Sequence, residues 1–111
     1  MSDLDASDMA KKIVSRLNNG DPDKVILGYA NPEPREQRRA AIARALPAPG
    51  CRYTILQVRD LGERPDRLHP IYRFEIEVMQ RCQDGTPESN RTIGLELVPD
   101  MGDWVPWKVI P

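Results

Sequence analysis

The sequence predicts an α+β fold in which N-terminal helices pack on a four-stranded antiparallel meander. Up to Gly50 the apolar residues recur at helical spacing behind three separate start signals. After Gly50 the period drops from about 3.6 residues to about 2, the change expected where helix gives way to strand. The four alternating runs then follow one another directly, with no helical crossover of the kind a parallel sheet needs. The elements read as helices over 6–19, 22–29 and 33–46 and strands over 51–60, 70–82, 90–98 and 104–110, one domain spanning 1–111.

In SDMAKKIVSRLNNG, Met9, Ile13 and Leu17 fall at steps of four beside Ala10 and Val14, one stripe of an amphipathic helix. Asp5 or Ser7 can cap its start, and Asn19 and Gly20 tolerate the left-handed backbone that ends it. Asp21 followed by Pro22 is an N-cap with proline at the first helical position, opening a short helix through Val25, Ile26 and Leu27. Asn31 and Pro32 repeat that signal for a helix through Glu36, Arg39, Ile42 and Leu46, which Pro47, Pro49 and Gly50 close.

CRYTILQVRD opens the sheet, and LGERPDRLHP connects it to IYRFEIEVMQRC. There Tyr72, Phe74, Ile76 and Val78 alternate with Arg73, Glu75 and Glu77, a strand with one buried and one wet face. QDGTPESN turns the chain, RTIGLELV sets Ile93, Leu95 and Leu97 on one face, and PDMGD turns it again into WVPWKVIP. Pro106 cannot donate to a ladder, so the last strand lies at an edge or carries a bulge.

The 111 residues carry 16 basic and 17 acidic side chains, a formal net charge of −1. Such a balance supplies no field for nucleic acid or an anionic membrane. No apolar run is long enough for a membrane span, and MSDLDASDMAKK lacks the regions of a signal peptide. As written the chain is expected to be cytoplasmic; a leader or anchor outside it would make it exported or membrane-tethered.

SRLNNGDPDKVILGYA and the closing LELVPDMGDWVPWKVIP together resemble the NTF2-like superfamily, the cystatin-like or SnoaL-like cone. Within it the chain is most similar to small bacterial domains of the DUF4878 and lumazine-binding-like kind. The departure from the pattern is the VPW between the two tryptophans. The resemblance implies a curved sheet wrapped on a helix around a conical cavity, and homodimers formed through the sheet. It implies no single activity, because members include isomerases, dehydratases, transport factors and proteins that only bind.

The inner faces of the strands hold almost no chemistry. Tyr72, Phe74, Ile76, Leu95 and Trp107 would either wall a cavity for a small apolar ligand or fill it as core. An isomerase or dehydratase would need an acid or base there, and only Tyr72 or Tyr53 is available, with no titratable partner at a defensible spacing. No catalytic set is therefore assigned. Asp60 and His69 bracket the first strand connection, and His69, the only histidine, reads as a solvent-exposed loop residue. One histidine and two cysteines make no metal site, and no phosphate loop or other cofactor motif is present. Arg35, Arg38, Arg39 and Arg44 read as a solvated helix face with Glu33 and Glu36 as partners. The expected function is a non-catalytic binding or assembly domain, for a small apolar ligand or a protein partner; the alternative is a small isomerase- or dehydratase-type enzyme with its active site in the cone cavity.

Two questions are left to the structure. Pairing Cys51 with Cys82 sets Gln57 against Ile76, whereas pairing Leu56 with Ile76 and Val58 with Phe74 buries more apolar surface. A bulge near 52–54 would reconcile a disulfide with that packing; the other outcome is two separate thiols. The tryptophans are an odd number of residues apart, so a regular strand points them to opposite faces. Trp107, in phase with Val109, is expected inward. Trp104 is expected outward on a dimer face with Arg73, Glu75 and Glu77, unless a bulge at Pro106 turns it in.

Overall fold

A computed structural model describes residues 5–25, 35–65 and 69–111. Two helices, α1 (Ala6–Asn18) and α2 (Arg35–Ala45), accompany four strands, β1 (Cys51–Arg64), β2 (Ile71–Cys82), β3 (Ser89–Asp100) and β4 (Asp103–Ile110). The strands form one antiparallel sheet in the order β1-β2-β3-β4, with β1 and β4 at its edges. The expected second helix is represented by a 3-10 turn, Pro22–Lys24; positions 26–29 of that expectation, and 33–34 of the third helix, lie outside the described residues.

Asp5 is the cap of α1, its carboxylate accepting from the Asp8 backbone N–H at 3.0 Å. That interaction holds its pKa below the usual value, since the anion is the better acceptor. Of the stripe read from the sequence, Ala10, Ile13, Val14 and Leu17 are the buried face of α1, and Met9 is partly buried against the core. Asn18 fastens this helix to the free edge of β1: its side-chain amide donates to Tyr53 O at 3.1 Å and accepts from Tyr53 N at 2.8 Å. The edge backbone that would otherwise invite another strand is thereby partly occupied.

α2 lies against β4 and the 3-10 turn, and contributes Ile42 and Ala45 to the core. Its last carbonyls are satisfied from the sheet. Tyr53 Oη donates to Ala45 O at 2.8 Å, Arg91 Nη1 donates to Tyr53 Oη at 3.0 Å, and Arg91 Nη2 donates to Arg44 O. A β3 arginine therefore caps a helix C-terminus, where positive charge and donors are both favoured. Of the arginines on α2, Arg39 pairs with Asp23 at 3.1 Å; Glu33, one of the two partners the sequence suggested, lies outside the described residues.

The core is one cluster between helices and sheet. β2 supplies Phe74, Ile76 and Val78, β3 supplies Ile93, Leu95 and Leu97, and β4 supplies Val109, all essentially without exposure. Phe74 faces Leu95 and Ile76 faces Ile93 across β2–β3, the inward pairs expected from the alternation. The β3–β4 hairpin closes through Met101 and Gly102 at φ 50° and 86°, the two left-handed positions that a tight two-residue hairpin turn demands.

Candidate functional site

Three bulges decide which side chains share the helix-facing side of the sheet. Cys51 pairs with Cys82, and the two form a disulfide, S–S 1.99 Å with Cα atoms 4.0 Å apart. The neighbouring bond from Gln83 N to Gly50 O makes the cysteines a non-hydrogen-bonded pair, the type in which side chains approach most closely. The register then shifts at Leu56, so that Val58 meets Ile76 and Asp60 meets Phe74. The bulge anticipated at 52–54 is thus at Leu56 and moves the pairing the other way. Leu56 itself is left 45% exposed instead of facing Ile76.

A second shift, at Leu61, sets Glu63 opposite Tyr72. Gly62 takes the left-handed φ of 80° that this bulge uses, and its N–H donates to Asp60 Oδ1 at 2.9 Å. In β4 the shift falls between the pairs Glu96–Lys108 and Leu97–Pro106, which leaves Trp107 as the extra residue. The proline that marks the site cannot join the ladder, so the bulge costs one bond fewer than elsewhere.

Each bulge turns one side chain by half a period. Without the Leu56 bulge Asp60 would face Arg73 on the open side of the sheet, and without the Trp107 bulge Trp104 would face Asp100 there. With them, Asp60, Glu63, Tyr72 and Trp104 all lie on the helix-facing side, at the end of the sheet away from the disulfide. The tryptophans follow the alternative in which a bulge at Pro106 turns Trp104 inward. Trp104 packs against the core and meets Tyr72 with ring centroids 5.4 Å apart and 60° between planes. Trp107 is not part of that packing; its ring stands edge-on to His69 at 5.3 Å, which also makes His69 half-buried and not a free loop residue.

Tyr72 has an acid partner that spacing alone did not reveal. Its hydroxyl donates to the Asp60 carboxylate, 2.6 and 2.5 Å from the two oxygens. This hydrogen bond, then burial and the charges of Asp60 and Glu63, pushes the Tyr72 pKa up to about 12. At neutral pH the phenol keeps its proton, so its hydrogen bond to Asp60 fixes the ring more readily than it transfers a proton. The signal that could have found it is the strand phase of Asp60, which becomes readable only once the bulge is known.

The other expected ligand-binding residues are core. Phe74, Ile76 and Leu95 have no exposure and belong to the core cluster, so no open cavity exposes them. On the opposite side of the sheet, Arg59 reaches Glu75 at 3.5 Å and Glu77 at 3.8 Å, half-exposed pairs of small energetic worth. Arg73 lies beside them over Gly94, where an added Cβ would come within 3.5 Å of Arg73 Nη2.

No family model matches the chain, and comparison with curated proteins and with solved structures finds no match. No helix among the described residues is long and apolar enough to cross a membrane, and no group of three or more His, Cys, Asp or Glu among them could hold a metal ion.

Proposed function

We propose that the chain is a non-catalytic binding domain whose site is the half-exposed aromatic pair Tyr72 and Trp104 at the open end of the helix-facing sheet. One observation supports this above the others: the wall expected of a ligand cavity is solid core, and the accessible aromatic surface on that face lies at its rim, among the described residues. The NTF2-like reading is kept as part of the proposal. Helices preceding a four-stranded meander support it, as do three bulges, the devices that bend strands into a curved sheet.

The test is an indole N–H titration by NMR. A small apolar probe should shift the Trp104 resonance saturably and leave Trp107 in place; a Trp104 signal that moves with no probe and no partner would remove the proposal. A second reading, assembly through the outer face of Arg59, Arg73, Glu75 and Glu77, rests on the alternation of charge there, which a two-fold axis would pair. Sedimentation showing monomer alone at micromolar concentration would dispose of it.

The enzyme reading has the Tyr72–Asp60 hydrogen bond in its favour. Against it stand the exposure of Asp60 and a phenol whose proton is held to about pH 12.

A further inference from the structure

We propose that Tyr72, Trp104, Asp60 and Glu63 form a binding site for an alkylammonium cation, an inference that rests on the rim being the binding site. Four observations converge on that ligand chemistry. Two electron-rich rings, both partly exposed, lie 5.4 Å apart at 60°, an edge-to-face arrangement in which they do not stack on each other, and the face of an indole or phenol attracts cations. Two carboxylates flank the rings: Asp60 is bonded to the Tyr72 hydroxyl, and Glu63 is the direct cross-strand neighbour of Tyr72.

Among the described residues neither carboxylate is neutralised by a basic side chain. On the opposite face of the sheet Glu75 and Glu77 share Arg59, whereas Asp60 and Glu63 enter no ion pair among the described residues. The charge balance at this end also excludes the opposite ligand. The residues that share this face here are Asp60, Glu63, Tyr72, Leu97, Pro99, Trp104 and Pro106, with no lysine or arginine among those described. An anion would meet two negative charges, and the Tyr72 phenol is already committed to Asp60.

The site is also held in shape. The Asp60 hydrogen bond sets the Tyr72 ring, Gly62 N–H holds Asp60 in turn, and the core beneath Trp104 supports the indole. All three bulges rotate their residues toward this one place, and bulges recur where a side chain has to be re-aimed. A cation seated between rings and carboxylates loses little hydration that the carboxylates do not replace, while its alkyl carbons cover the apolar faces.

The experiment compares choline with its neutral isostere 3,3-dimethylbutan-1-ol and with n-butylammonium, read by the indole N–H of Trp104. Choline or n-butylammonium should give a saturable shift of Trp104 without one of Trp107, and the neutral isostere should bind at least about fivefold more weakly. The tighter of the two cations assigns the head group as quaternary or primary. Glu63→Gln, an exposed position whose change leaves the fold intact, should weaken the cation severalfold and leave the neutral isostere unchanged. Asp60→Asn should do the same, and added salt should weaken cation binding in the wild type.

Binding of neither cation more tightly than the neutral isostere overturns the cation assignment while the rim remains a binding site. A Trp104 signal that moves with none of the three probes overturns both.

Discussion

The Cys51–Cys82 disulfide carries the largest single prediction. It closes a loop with a sequence separation of 31 residues around the β1–β2 hairpin. In the chain-entropy treatment a loop of that length restrains the unfolded chain by about 3.7 kcal/mol, intermediate between short and domain-length loops. A domain of this size is stable by about 5–15 kcal/mol, so loss of the bond removes a quarter or more of the total. The expected fall in melting temperature is about 15 °C. Folding should survive, because the same corner keeps Ala48 N on Gln80 Oε1 at 2.9 Å, Cys51 N on Ala48 O at 2.9 Å and Gln83 N on Gly50 O at 3.1 Å. Urea unfolding of the Cys51→Ala/Cys82→Ala protein beside the oxidised wild type measures the difference, with thiol counting before and after reductant as the control. A loss below about 1 kcal/mol would show that the denatured chain already holds the hairpin together, and two free thiols in unreduced protein would remove the premise.

Three further outcomes follow from named contacts. Tyr53→Phe removes a buried hydroxyl that serves Ala45 O and Arg91 together, and should cost about 1–3 kcal/mol in urea unfolding; a loss under about 0.5 kcal/mol would mean that water replaces it. The Tyr72 phenolate should form only near pH 12, and since the folded pKa lies above the unfolded value of about 10, its stabilisation is complete below pH ~10 and is lost as pH rises through 12. Phenolate absorbance reports it, and Asp60→Asn should return the titration toward the ordinary tyrosine value. Trp104→Ala should cost about 1–3 kcal/mol, less than a fully buried tryptophan yet well above a surface change; an unaltered melting temperature would place its ring off the core.

The parts of the fold that depend on period were legible. Ala10, Ile13, Val14 and Leu17 are buried as the stripe required, and Phe74, Ile76, Ile93 and Leu95 point inward as the alternation required. Caps were legible too, because Asp5, Asp21 and Gly20 act through their own backbone neighbours. What escaped depended on distant partners. Nothing local to Arg91 marks it as the residue that closes α2, for that role exists only when β3 lies under the helix end.

The site was hidden for a sharper reason, which is parity. Reading faces from a strand assumes that every residue advances the pleat by one step, and a single extra residue reverses everything beyond it. Three such residues, Leu56, Leu61 and Trp107, stand between the regular pattern and the positions of Asp60, Glu63 and Trp104. Two left traces that composition alone underweights: Gly62 follows Leu61, and Pro106 precedes Trp107, each supplying a backbone that a regular ladder does not favour. Leu56 left none, since its displacement is set from outside. The disulfide fixes the pairing at one end, the inward packing of Val58 on Ile76 fixes it further on, and the two registers differ by one residue that Leu56 absorbs. The covalent link at one corner therefore helps to bring a carboxylate to the tyrosine near the other, and removing it should loosen the Tyr72–Asp60 contact along with the hairpin. If the phenol of the doubly Ala-substituted protein still titrates near pH 12 in its folded state, the Leu56 bulge is held by packing alone and the coupling is absent.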